Sequence, residues 1–393
     1  MAGSMSSDVG QGTCGEGQDG SRAPSDELMP GPCCPTAGPA EPAEVGPSAS
    51  APLVSVIVPC HNAARWLDEC LASVRAQTHR PLELSLWDDS SSDGSASIVE
   101  AARSLFQEAG VSLAFGGGSS SSGPLGCGAA KNRAVRQSSG EYLCFLDADD
   151  TMRCDRVAAQ LHVLLSLGPD HLVGSCVRRE PEDAQPRYTA WLNGVSDAQL
   201  KLQCLCECTV AMPTWFCARS LFDGLDGFCE AGPGTPEDLE LFYRHLRAGG
   251  SLAKVPEPLV MYRYHEQQQS RGVSAEAIWA LRIAELELAF LPRLQSFSIW
   301  SAGRDGKRLY RSLSQENRRK VVAFLDVDPG KLAAGLYYDR EQKVHVPIVS
   351  FTCAAQAEYQ PTIICVKQGM YAAFEENLAS LQLTEGQHYW HFQ

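Results

Sequence analysis

The run Glu141-Tyr-Leu-Cys-Phe-Leu-Asp147-Ala-Asp149-Asp150-Thr151 carries an apolar strand straight into three closely spaced carboxylates. Folding has no use for that pattern. Like charges on neighbouring turn positions repel, and the repulsion is best relieved by a divalent cation held among them. A ligand set made only of oxygens suits Mg²⁺ or Mn²⁺ and not zinc. A second apolar run, Leu82-Glu-Leu-Ser-Leu-Trp87, ends the same way on Asp88 and Asp89, followed by Ser-Ser-Ser-Asp93-Gly94. Ligands of open α/β sheets bind outside the carboxyl ends of the strands. Two acidic strand ends in one sheet therefore point to one site for a metal and a polar, phosphate-bearing ligand.

The elements that must position these residues alternate. Val54–Val58 reads as a strand. Residues 64–77 read as a helix, with Trp66, Leu67, Cys70, Leu71 and Val74 on one face at helical spacing. Strands at 82–87, 111–115 and 142–146 enclose helices at 95–109 and 128–137. This order predicts parallel strands joined by crossover helices. A long helix is predicted over 274–290. Near residue 297 the alternation restarts, with strands at 297–300, 320–325 and 362–366. The fold class is thus α/β: a Rossmann-like mixed sheet over 51–295, followed by a small half-Rossmann-like α/β domain over 296–393. Residues 1–50 are rich in Gly, Pro, Ser and Ala and set seven acidic residues against Arg22, which reads as a disordered acidic tail.

Composition narrows the setting. The chain has 393 residues, 44% of them hydrophobic, and a net charge of −14, which argues against a broadly basic nucleic-acid binder. No apolar run is long enough to span a membrane, and the first residues do not read as a signal peptide. The sixteen cysteines are irregularly scattered, several inside apolar strands, which favours reduced thiols and a cytoplasmic setting.

Five motifs stand in sequence order: Val56-Ile-Val-Pro-Cys-His61-Asn62, Trp87-Asp88-Asp89-Ser-Ser-Ser-Asp93-Gly94, Ala130-Lys131-Asn132-Arg133, Phe145-Leu-Asp147-Ala-Asp149-Asp150 and Pro236-Glu237-Asp238-Leu239. Together they resemble the family 2 glycosyltransferases of the GT-A fold. The resemblance implies a UDP-sugar donor, a Mn²⁺ or Mg²⁺ ion and a metal-dependent hexosyl transfer with inversion. By motif position His61 would lie against the uracil, Asp89 would accept its N3–H with Asp88 beside it, and Asp147 would reach the ribose. Lys131 would meet the diphosphate. Asp149 or Asp150 would hold the metal, with His265 as a further metal or phosphate ligand. Asp238 would be the general base. Further stretches extend the resemblance to the C-terminus: Met212-Pro-Thr-Trp215-Phe-Cys217, Tyr262-Arg-Tyr-His265, Ile299 to Leu313 and Glu375 to Phe392. They are similar to a eukaryotic branch of the family that acts on queuosine at the tRNA wobble position. That closer resemblance implies UDP-galactose as donor and tRNA carrying queuosine as partner, with no membrane partner. Two other readings remain: a β-1,3-N-acetylglucosaminyltransferase using UDP-GlcNAc on a β-galactoside, or a noncatalytic UDP-sugar-binding scaffold.

Other residues read two ways. Trp215 is an acceptor platform or a core tryptophan. Cys204, Cys206 and Cys208 alternate as on one face of a strand and lack zinc-ligand spacing. Ser301-Ala-Gly303-x-x-Gly306 with Asp326 resembles a dinucleotide-binding turn, although Ser301 stands where the first glycine belongs. From Arg304 to Lys320, seven basic residues stand against Asp305 and Glu316, a positive patch on an acidic chain that reads as a solvated helix face or a phosphate contact.

Overall fold

A computed structural model describes residues 51–118, 123–268, 272–367 and 372–393; the predicted acidic tail lies outside the described residues. The described residues form one compact unit.

The chain begins with β1 (Val54–Cys60), whose residues are buried except for Pro59. Such a near-continuous apolar run suits a central strand covered on both faces. Helix α1 (Leu67–Arg75) leads to β2 (Leu82–Asp88), α2 (Ser95–Glu108) to β3 (Val111–Gly117), and α3 (Cys127–Gln137) to β4 (Tyr142–Phe145). After β5 (Thr151–Met152) come α4 (Arg156–Leu167), β6 (His171–Glu180), α5 (Pro186–Gly194), β7 (Phe216–Ala218), α6 (Arg219–Gly224), α7 (Glu237–Arg247) and β8 (Ser251–Arg263). These strands make one mixed sheet in the order β3-β2-β1-β4-β7-β6-β8-β5. β1 is parallel to both β2 and β4. The connections leave β1 on one side toward β2 and return on the other at β4, so a crevice opens at the carboxyl ends of β1 and β4.

Helix α8 (Ala275–Glu285) continues into a wide turn to Phe290. The second sheet follows, built from β9 (Phe297–Trp300), α9 (Arg304–Ser312), α10 (Gln315–Arg318), β10 (Val321–Asp326), α11 (Pro329–Ala334), β11 (Leu336–Asp339), β12 (Val344–Ser350), β13 (Thr362–Ile364), α12 (Ala372–Ser380) and β14 (Tyr389–His391). Its order is β11-β12-β10-β9-β13-β14. The α/β class, the mixed first sheet and a second C-terminal sheet are as the sequence predicts. One apolar cluster runs from Trp215, Phe242 and Tyr243 through Ile283 of α8 and Leu286 just after it to Leu309 of α9 and Phe297 and Phe324 of the second sheet.

Two local expectations are corrected. Residues 201–206 are turns and not a strand; Cys204, Cys206 and Cys208 are buried, and the Cys204 carbonyl accepts the Tyr243 hydroxyl of α7 at 3.1 Å. Trp215 is no platform. It is buried, its Nε1–H donates to the Val210 carbonyl at 2.9 Å, and its ring lies between Phe228 and Phe242.

The dinucleotide-like turn is closed on itself. Asp326 accepts the Ala302 N–H at 2.7 Å and pairs with Lys331 at 2.9 Å. A Cβ on Gly306 would fall 1.8 Å from the Ser301 carbonyl oxygen, so this glycine is needed for helix α9 to sit against β9.

Candidate active site

The carboxyl ends of β1, β4 and β8 and the first turn of α7 meet at a cavity of about 890 Å³. His61, Lys131, Asp147, Asp149, Asp238 and His265 line it, as do Asp93 and Glu237. The structure thus brings together residues drawn from six separate stretches of chain. Asp88 and Asp89 are buried behind the wall and do not line the cavity. Asp88 accepts the Ser91 N–H at 3.2 Å. Asp89 accepts the N–H groups of Leu125 and Gly126 at 2.9 and 2.8 Å, which fixes the loop entering α3. His61 Nδ1–H donates to the Asp89 backbone carbonyl at 2.7 Å, so the His61 ring in the wall is held from behind by the Asp89 segment.

At one end lie Asp147, Asp149 and Asp150, each offering an oxygen within 4.8 Å of the others. Asp147 Oδ1 and Asp150 Oδ2 are buried without a hydrogen-bond partner. Orphaned carboxylate oxygens in a buried cluster are costly unless something positive meets them. Burial, with Lys131 opposing and Asp149 adding, pushes Asp147 up to about 7, and burial with the neighbouring charges of Asp149 and Asp147 pushes Asp150 well up. The oxygen-only donor set fits Mn²⁺ or Mg²⁺.

Arg263 organises this end. Its backbone N–H donates to Asp150 Oδ1 at 2.8 Å and its guanidinium to the Asp149 carbonyl at 2.9 Å. The same guanidinium pairs with Glu69 of α1 at 2.6 Å and Glu180 of β6 at 3.0 Å. One side chain therefore ties the acidic turn to a helix and two strands. Two residues on, His265 accepts the Gln267 N–H at Nδ1, which leaves Nε2–H to donate to Asp149 Oδ2 at 2.8 Å. The His265 ring stacks on Trp66, with centroids 3.9 Å apart.

At the other end, Glu237 and Asp238 open α7, where acidic side chains suit the helix dipole. Lys131 is buried; its Nζ pairs with Glu237 Oε1 at 2.9 Å and lies 5.0 Å above the Phe228 ring. Burial works against both charges, yet the Lys131 ammonium holds the Glu237 carboxyl below its ordinary range, and Cys127, Glu237, Asp147 and Asp238 together push Lys131 up. Helix α3 reaches this position because Gly126 adopts φ +102° and because a Cβ on Gly128 would stand 2.3 Å from the Cys229 carbonyl oxygen. Among the described residues no cation forms an ion pair with Asp238, and Lys131 opposes its shift only from the neighbouring pair. Burial, then the Glu237 charge, raise it to about 6. A carboxylate so poised is ionised near neutral pH and is a better proton acceptor than an ordinary aspartate.

The sequence reading missed the roles of Arg263, Trp66, Glu207, Tyr188 and Tyr262. Arg263 did carry a signal: an arginine within a largely apolar strand has to be paired. Trp66 is buried as its place on the apolar face of the 64–77 segment predicts, but α1 begins only at Leu67, so Trp66 sits at the N-cap with its ring stacked on His265. Nothing in the local pattern marks Glu207, Tyr188 or Tyr262 as wall residues.

Known proteins agree with the class that this site suggests. Residues 55–222 match the model of glycosyl transferase family 2. The chain is 31% identical over 114 residues to the putative teichuronic acid biosynthesis glycosyltransferase TuaG of Bacillus subtilis, covering 29% of this chain and 42% of that protein. It is 34% identical over 122 residues to an uncharacterized glycosyltransferase of Haemophilus influenzae, covering 31% and 45%. The chain thus spans under half the length of these curated relatives. Among solved structures, S. aureus TarS in complex with UDP-GlcNAc gives a TM-score of 0.48 at 17% identity, covering 67% of this chain and 70% of that one. The mannosyltransferase PcManGT from Pyrobaculum calidifontis, with GDP-Man and Mn²⁺, gives 0.45 at 22%, covering 63% and 65%. Residues 55–222 are therefore similar to a family 2 glycosyltransferase domain. Among the described residues no helix is long and apolar enough to cross a membrane.

Proposed function

We propose that this chain is an inverting, metal-dependent glycosyltransferase that moves galactose from UDP-galactose to queuosine at the wobble position of tRNA. The observation that carries the reaction type is the placement of the Asp147/Asp149 cluster end and of Asp238 in one cavity. Asp147, Asp149 and Asp150 would hold a divalent ion, with His265 beside them; bound there, it would neutralise the diphosphate of the leaving nucleotide. His61 lies where the uracil would rest, at the wall that Asp88 and Asp89 support. Asp238 takes the proton from an acceptor hydroxyl as that oxygen bonds to the anomeric carbon. The bond from that carbon to the diphosphate oxygen breaks on the opposite face, so an α-linked donor yields a β-linked product. Lys131 holds Glu237, and the Glu237 charge keeps Asp238 basic.

The donor sugar and the acceptor rest on the resemblance that runs from residue 53 to the C-terminus. The decisive experiment incubates the protein with tritiated UDP-galactose and total tRNA, with and without queuosine. Label in the queuosine-containing tRNA alone is the expected result. Label passing from UDP-GlcNAc to a β-galactoside, with none in tRNA, would replace this reading by the N-acetylglucosaminyltransferase one. Nucleotide binding with no transfer or hydrolysis would leave a UDP-sugar-binding scaffold.

A further inference from the structure

Helix α9 is sharply two-sided. Gly306, Leu309 and Tyr310 are buried. Arg304, Lys307, Arg308 and Arg311 recur at spacings of three and four and so share the opposite face. The Arg304 side chain is 92% exposed, and the acid paired with it, Asp305 at 3.3 Å, is itself 45% exposed, so solvent screens that pair strongly. Aromatic rings support the stripe on both sides without neutralising it. Lys307 Nζ lies 5.4 Å from the Tyr337 ring centroid and the Arg308 guanidinium 4.0 Å from that of Trp279.

Of the three basic residues at 318–320, Arg318 and Lys320 are committed elsewhere and Arg319 is exposed. Arg318 donates to the carbonyls of Leu313 and Arg311 and pairs with Glu341. Lys320 Nζ donates to the Leu291 carbonyl at 2.9 Å. Most of the solvent-facing positive charge of this segment therefore sits on α9, over about 10 Å of helix.

The stripe borders the cavity through α8. Trp279 lies under Arg308, while the preceding residue, Ile278, is in the cavity wall. Arg282, one turn further, pairs with the wall residue Glu207 at 3.1 Å. On a chain of net charge −14, a polyanion meets repulsion over most of the surface. A stripe of four cations beside the cavity is a local exception.

We infer that the α9 stripe, Arg304, Lys307, Arg308 and Arg311, is the face on which the phosphate backbone of the RNA acceptor docks. This rests on the RNA-acceptor reading above and adds the surface that would hold it. The test uses the full chain with Arg304→Gln, Lys307→Gln and Arg311→Gln combined; Arg308 is kept because it packs on Trp279. Binding of total tRNA is followed by fluorescence anisotropy from about 50 to about 200 mM KCl. At the low-salt end the triple variant should bind about tenfold or more weakly. Its log–log salt slope should be shallower by about 2–3, since each lost phosphate contact removes about 0.7–0.9 of a released counterion. A variant with Arg304→Lys and Arg311→Lys keeps the charge and should keep the wild-type affinity and slope; UDP binding should be equal in all three proteins.

Wild-type affinity and slope in the triple Gln variant would overturn the inference. So would equal loss in the Lys variant, or no tRNA binding by the wild type. Loss of binding to phosphatidylserine vesicles with tRNA binding intact would assign the stripe to lipid. The two proposals separate cleanly. A wild type that binds tRNA through the stripe but transfers nothing to it refutes the acceptor reading and leaves the docking face standing. Equal transfer to tRNA by wild type and triple variant, with equal tRNA affinity, refutes the docking face and leaves the acceptor reading standing.

Discussion

Replacing Asp238 by Asn should act on rate and on stability in opposite directions. The Asp238 carboxyl is raised from an ordinary 3.8 to about 6, by burial first and the Glu237 charge second. A raised folded-state value means that the native protein binds this proton more tightly than the unfolded chain does. That contribution to stability is complete below the unfolded value and is lost as pH rises through about 6. Above it, keeping Asp238 ionised costs the native state up to about 3 kcal/mol, at about 1.4 kcal/mol per pH unit of difference. Asparagine never ionises, and its Oδ1 can still accept the Leu239 N–H that Asp238 Oδ1 accepts at 2.7 Å. Asp238→Asn should therefore match the wild type in stability near pH 4 and exceed it by up to about 3 kcal/mol at pH 7.5. Transfer should fall by about 10²-fold at least. Wild-type transfer should itself decline below about pH 6, as the base takes up its proton. Urea unfolding from about pH 4 to about pH 8, with product formation measured on the same samples, reads both effects. A stability difference that stays flat across that range would refute the account of Asp238 as a carboxylate held ionised at a cost. Turnover within about threefold of wild type would remove it from the role of base.

Three further outcomes follow from the geometry. Asp149→Asn should weaken Mn²⁺ binding measured by calorimetry, and wild-type protein dialysed against EDTA should lose transfer and regain it with Mn²⁺; full activity in EDTA would end the metal-dependent reading. Arg263→Met should cost about 10–100-fold in Mn²⁺ affinity by electron paramagnetic resonance, as losses of groups that orient metal ligands do, because the Asp149 carbonyl and the Glu69 and Glu180 partners would no longer be tied together. Lys131→Met should destabilise the fold by about 3–5 kcal/mol in chemical denaturation, since it strands Glu237 in the protein, and Lys131→Met with Glu237→Gln should recover most of the loss.

Much of this site is legible in the sequence by itself, and the reason is local. Apolar runs at 82–87 and 142–146 stop directly on carboxylates, the run at 54–58 is followed by His61 and Asn62 after Pro59 and Cys60, and covalent sequence alone places those residues at strand ends. Alternation of such runs with amphipathic segments dictates a parallel α/β core, and the oxygen-only set at 147–150 dictates the class of metal it could take. The partners of these residues are decided only in three dimensions. Lys131 and Glu237 are 106 positions apart, and Asp149 and His265 are 116 apart, so no periodicity could pair them. Burial, too, is a property of the assembled fold. The Asp238 carboxyl is raised because α7 buries it beside the Lys131–Glu237 ion pair, and Trp215 is a core residue because Phe228 and Phe242 pack against its ring. The basic segment after residue 303 shows the same division. Its charge is countable in the sequence, but which cations remain free for a partner depends on the carbonyl groups and carboxylates that folding brings within their reach.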